Sequence, residues 1–186
     1  MMSDITILKE MITDNATVSL QDGNYGGKKV ILEEPNQYAV TIYGMPLPNE
    51  VIVIKGDAFP SLKNRFFRNK KHECKRADFI IVANTKNKRV ILYVELKATL
   101  KTSEKSDILL QFKGAQCVMT YCQEIGREFW EQLDFLKDYE TRFVTIAGVI
   151  EKRETRDSRK KEIHDRPEKM LKIATAHHVE FNRLIK

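Results

Sequence analysis

Hydrophobic positions near the N-terminus recur at helical spacing. Ile5, Leu8, Met11 and Ile12 fall within Ser3 to Thr13, with Ser3 or Asp4 placed as N-cap, and predict a short amphipathic helix. Asp22 to Gly27 is a turn-rich loop. Its glycines are followed by neither a lysine-serine pair nor a helix, so they do not form a phosphate-binding fingerprint. Three apolar runs come next, Lys29 to Leu32, Gln37 to Tyr43 and Glu50 to Lys55. Pro35-Asn36 and Pro46-Leu47-Pro48-Asn49 separate them, which predicts an antiparallel meander that extends or precedes the edge of a core sheet.

The most ordered pattern lies between Asp78 and Val94. Two apolar, β-branched runs, Asp78 to Ala83 and Arg89 to Val94, flank the polar segment Asn84 to Lys88, the composition of a hairpin. A loop of Thr85 to Lys88 pairs Asn84 with Arg89. It then sets Ile80 against Tyr93 and Val82 against Ile91 on one face, and Phe79 against Val94 and Ile81 against Leu92 on the other. Both faces are apolar, as in the buried middle of a sheet. The same register puts Asp78 opposite Glu95, with Lys97 two residues on and on the same face.

Beyond Lys97, Ala98 to Lys105 is polar and is expected to be mobile. Ser106 suits an N-cap for a helix running to about Gln123 and stopping near Gly126, with Ile108, Phe112, Ala115, Met119 and Cys122 as its core stripe. Gly114 inside that stripe suggests a close approach to the sheet. Phe129, Trp130, Leu133 and Leu136 keep helical spacing and are expected in the core. Phe143 to Ile150 reads as another central strand. Glu151 to Lys169 mixes eight basic with six acidic residues plus His164, a solvated loop of net charge +2. A short helix from Pro167 through Leu171 and a strand within Ile173 to Ile185 complete the chain. His177 and His178 alternate faces on that strand, so neither is assigned a metal.

Composition narrows the class. The 186 residues, 42% hydrophobic, make one globular domain the simplest expectation. No run of 18 apolar residues suggests a membrane span, and the N-terminus lacks the basic and apolar regions of a secretory signal. Cys74, Cys117 and Cys122 form neither a disulfide set nor a zinc spacing, so a cytoplasmic protein with free thiols is expected. A net charge of +6 favours a polyanionic partner. Leu62 to Arg76, LKNRFFRNKKHECKR, concentrates that charge in Lys63, Arg65, Arg68, Lys70, Lys71, Lys75 and Arg76. Leading straight into Asp78, this segment suits phosphate contacts. A solvated loop whose Phe66 and Phe67 pack on the core accounts for the pattern equally well.

Carboxylates facing each other on adjacent strands repel. Holding them together takes a raised pKa, a cation or both. A divalent metal bridged by Asp78 and Glu95 supplies the cation, with the Lys97 ammonium beside it to hold a water or a developing negative charge. Glu73 is near enough in sequence to serve as a spare acid. An ordinary ion pair between Glu95 and Lys97 at a strand end is the plainer alternative.

An Asp heading one strand, an apolar neighbour ending in Glu95-Leu96-Lys97 and a helix after it resembles the PD-(D/E)xK, or restriction-endonuclease-like, nuclease superfamily. The likeness spans roughly Asp4 to Ile150, with 151–186 as a basic loop and C-terminal elaboration of a single domain. Ala77 stands where the motif's name has proline. The resemblance implies an α/β (α+β) fold, a mixed central β-sheet flanked by helices with an α-β-β-β-α-β core and the N-terminal antiparallel meander. It implies a Mg²⁺- or Mn²⁺-dependent DNA endonuclease in which Asp78, Glu95 and the Leu96 carbonyl hold the metal and Lys97 assists. It also implies a glutamine from the following helix, either Gln111 or Gln116, and a third acid from the first helix, for which Glu10 is the candidate. RNA shares the chemistry, and cutting both strands suggests a homodimer. A catalytically silent nucleic-acid-binding or assembly module is the alternative.

Overall fold

A computed structural model describes residues 2–23, 26–35, 38–151, 163–175 and 177–186. Its core is a five-stranded mixed sheet built from β4 (Val51–Lys55), β5 (Phe79–Asn84), β6 (Arg89–Leu100), β7 (Glu140–Ile150) and β8 (Leu171–Ala174), in that spatial order. β4, β5 and β6 are antiparallel neighbours, and β6, β7 and β8 run parallel. A second sheet has the order β1 (Gln21–Asp22), β2 (Lys28–Glu34), β3 (Tyr38–Met45) and β9 (His178–Glu180).

Alternation along β5 and β6 sorts the layers. Ile80, Val82, Ile91 and Tyr93 face helices α1 (Asp4–Met11) and α2 (Lys105–Phe129), where Ile5, Leu8, Ile108, Phe112 and Met119 meet them. Phe79, Ile81, Leu92 and Val94 face the second sheet, against Val30, Leu32, Val40 and Ile42. Strands covered on both faces need apolar residues at every position. β2 and β3, covered on one face, bury only alternate residues. On the helix side Tyr93 stacks on Phe143 at 4.9 Å and Phe112 meets Phe143 edge-on at 5.4 Å, each pair adding about 0.5–1.5 kcal/mol beyond burial.

The β5–β6 register is the one hairpin geometry predicts, from Asn84↔Arg89 to Phe79↔Val94. The first helix also matches, with Ser3 Oγ capping the Thr6 amide. Several expectations are corrected. The meander is split between sheets, because β4 is buried on nearly every residue and joins the core sheet while β2 and β3 do not. β6 continues to Leu100, since β7 offers it a parallel partner as far as Ile150. Of the segment expected to be mobile, Ala98 to Leu100 is therefore strand and Thr102–Glu104 a 3₁₀ turn. α2 begins at Lys105, with Glu104 in place of Ser106 as its cap, and continues to Phe129. Gly126 does not end it; a Cβ there would lie 2.2 Å from the Phe135 ring.

Of the four residues expected in the core, Leu136 is buried in it and Trp130 packs against it, whereas Phe129 and Leu133 are exposed and Phe135 takes their place. The single last strand is in fact two short ones, β8 and β9, in different sheets, followed by the turn of helix α3 (Phe181–Leu184). Pro167–Lys169 forms one 3₁₀ turn. Most of the basic loop after Glu151, residues 152–162, lies outside the described residues. His164 is buried, its Nε2 2.8 Å from the Leu184 carbonyl oxygen. No described helix is long and apolar enough to cross a membrane.

Candidate active site

Asp78 stands at the mouth of β5 because the chain before it is gripped from two sides. The Gly56 amide donates to the Asp78 carbonyl at 2.7 Å, and a Cβ on Gly56 would fall 1.8 Å from the Ala77 carbonyl oxygen. On α2, a Cβ on Gly114 would fall 1.8 Å from the Lys75 carbonyl oxygen. Only glycine admits backbone that close. Gly114 thus marks a close approach of the helix to the lead-in segment, not to the sheet proper.

Asp78 and Glu95 lie just past the last rung of the β5–β6 ladder, on the helix side. The Asp78 amide donates to Glu95 Oε2 at 3.3 Å, and the Leu96 amide donates to Asp78 Oδ2 at 2.7 Å. Each carboxylate is therefore anchored on its neighbour's strand. Lys97 Nζ is 2.7 Å from Glu95 Oε1, an ion pair in distance without the alignment of a hydrogen bond. Glu95 is fully buried.

Electrostatics follow from that burial. Loss of solvent, then the facing Glu95 and, more weakly, Glu34, push Asp78 up to about 8 against the pull of the Leu96 amide and Lys97. Burial also raises Glu95, opposed by Lys97, by the Gln111 amide and by the Asp78 backbone. For Lys97, burial works against the charge, but Glu95, Asp78 and Glu104 together hold it above its ordinary value. The ammonium is kept, while the two acids resist carrying two charges.

These groups present oxygen donors to one another, the set a hard divalent cation takes. Gln111 Oε1 is buried with no hydrogen-bond donor among the described residues, and Glu95 Oε1 meets the Lys97 ammonium. A cation between the acids would relieve their repulsion, so the residues fit Mg²⁺ or Mn²⁺. Among the described residues no three His, Cys, Asp or Glu side chains are arranged to hold a metal. Two carboxylates, with water and phosphate completing the shell, is a common Mg²⁺ arrangement.

The other predicted residues separate. Of the two glutamines, Gln111 faces Glu95. Gln116 is five residues on, about 140° around the helix, and is not turned to the site. Glu10 is exposed and accepts a hydrogen bond from Trp130 Nε1 at 3.0 Å, some 19 residues along or roughly 28 Å of helix from Gln111, so it supplies no third acid. Glu73 is exposed and turned into its own loop, accepting from the Lys71 amide at 2.9 Å. Lys75 is paired with Asp107. Arg76 is spent on structure: its Nη1 donates to the Lys75 carbonyl at 2.8 Å and its guanidinium sits 5.4 Å from the Phe59 ring centroid. Lys63, Arg65, Arg68, Lys70 and Lys71 are exposed and form no ion pair among the described residues. His177 and His178 lie beside Tyr38 and Tyr43.

Sequence reasoning missed Glu34, Glu104 and Gly56. Glu34 ends a strand of the other sheet, and no local pattern brings it within electrostatic reach of Asp78. Glu104, whose Oε2 accepts from the Lys101 amide at 2.9 Å, reaches Lys97 only because β6 runs on before the helix turns back. Searched against family models, curated proteins and solved structures, the chain matches none of them.

Proposed function

We propose that this chain is a Mg²⁺- or Mn²⁺-dependent nuclease of the restriction-endonuclease-like kind that hydrolyses DNA phosphodiesters. The observation that supports it is a fully buried Glu95 held against Asp78, with the Lys97 ammonium alongside. The order α1-β4-β5-β6-α2-β7 supports reading the core as α-β-β-β-α-β, with β1 to β3 inserted after the first helix and 151–186 as an elaboration of one domain. Three free cysteines agree with a reducing, cytoplasmic setting.

Asp78, Glu95 and the Leu96 carbonyl would hold the metal, which when bound supplies charge neutralisation and a water of lowered pKa. Lys97, kept protonated by its acidic neighbours, donates to a phosphate oxygen and stabilises charge building on phosphorus. Gln111 orients the Glu95 carboxylate from the helix side. The exposed cations of residues 63–71 contact the phosphates that flank the site.

One observation favours a silent binding module instead: Lys97 already neutralises Glu95 without a metal. Plasmid nicking with Mg²⁺ and with EDTA separates the two. A nuclease nicks only with the metal, and Glu95→Ala and Lys97→Ala abolish cutting while leaving the thermal melt cooperative. DNA retention indifferent to Mg²⁺ and to Glu95→Ala, with no nicking by the wild type, selects the binding module. Wild-type cutting by Lys97→Ala sinks the mechanism.

A further inference from the structure

Phe66 and Phe67 are not in the core. Phe66 is 78% exposed and Phe67 41% exposed, and their rings meet edge-to-face, centroids 4.9 Å apart at 88°. They are held there by a closed turn. The Leu62 carbonyl accepts from the amides of Arg65, Phe66 and Phe67 at 3.0–3.2 Å, and the Asn64 amide, at φ 60°, donates to the Phe67 carbonyl at 2.8 Å. Around the pair stand Lys63, Arg65, Arg68, Lys70 and Lys71, with no acidic residue from Leu62 to His72. Among the other exposed aromatics of the described residues, Tyr121 meets Phe59 edge-on at 6.2 Å and Phe129 has Glu128 and Glu131 beside it.

Rigidly presented aromatic faces within a field of unpaired cations match the chemistry of unpaired nucleotides, whose bases stack while their phosphates take the charge. In a duplex those base faces are covered. The loop also rises from the segment gripped by Gly114, three residues before Asp78. We propose that Phe66 and Phe67 form a stacking platform for single-stranded nucleic acid, which delivers the strand to the site of Asp78 and Glu95. Its place beside a scissile phosphate rests on the nuclease reading above; the stacking itself does not.

The test measures binding of labelled oligothymidylate, oligouridylate and an abasic strand of equal length by fluorescence anisotropy. The solutions contain EDTA and the protein carries Glu95→Gln, so turnover plays no part. Phe66→Ala with Phe67→Ala should weaken binding of the base-bearing strands roughly ten- to a hundredfold and leave the abasic strand unchanged. The thermal melt should hold, since neither ring belongs to the core. Phe66→Trp should retain affinity, and its fluorescence should be quenched as the strand binds. Thymidylate bound more tightly than uridylate identifies DNA as the source of the strand, and the reverse identifies RNA. Equal binding of base-bearing strands by wild type and double alanine variant overturns the proposal, as does equal loss for the abasic strand. Phenylalanine-dependent binding to anionic vesicles without strand binding also overturns it, in favour of a membrane surface. Phenylalanine-dependent strand binding in a protein that never cuts would leave this inference standing and remove the nuclease reading alone.

Discussion

Asp78→Asn should make this protein more stable at neutral pH. In the unfolded chain Asp78 ionises near 3.8, and in the fold it is pushed up to about 8 by burial and the facing Glu95. Between those values the folded state holds a proton that the unfolded state has released. Stability is therefore greatest below the unfolded value and is lost as pH rises through the folded one. One proton limits the slope to about 1.4 kcal/mol per pH unit, so the interval from about pH 5 to about pH 7 carries a loss of up to ~2.7 kcal/mol. Asparagine keeps an oxygen for the Leu96 amide and carries no charge, leaving Glu95 to ionise beside Lys97. Urea denaturation in EDTA across that range measures both proteins. The variant should gain about 1–3 kcal/mol over wild type near pH 7, the difference closing toward about pH 4.5. Parallel stability profiles for the two proteins would refute the claim that these acids strain each other. The same substitution should end Mg²⁺-dependent nicking, as expected where a functional site is held at a cost in stability.

Gly114→Ala adds helix propensity worth about 1 kcal/mol yet drives a methyl into the Lys75 carbonyl, so a net loss of about 1–3 kcal/mol is expected by thermal melt; a rise in melting temperature would mean the segment before Asp78 is not gripped there. Gln111→Leu should lower cleavage about ten- to a hundredfold at limiting Mg²⁺, with Gln116→Leu close to wild type in the same titration.

The central hairpin was legible in the sequence because side-chain period and loop length fix register by themselves. Alternation along Phe79–Asn84 and Arg89–Leu100 put Asp78 across from Glu95 with Lys97 beside it, without knowledge of any third element. The stripe of α2 was legible for the same reason, though its ends were not: Gly126 looks like a stop signal in sequence but lies against Phe135 in the fold. Phe129 and Leu133 show the limit of helical spacing, which says that residues share a face and not that anything covers it.

By itself, then, the sequence determined the local geometry: which residues pair across the hairpin, where the first helix is capped, and that three ionisable groups converge at one end of two buried strands. Tertiary structure decided what is set by contacts far apart in the chain. It sent β4 to one sheet and β2 and β3 to the other, brought Glu34 toward Asp78, chose Gln111 over Gln116, and left Phe66 and Phe67 in solvent. Burial raises the pKa of Asp78 and Glu95, and burial is a property of the packed layers rather than of any residue's neighbours in sequence.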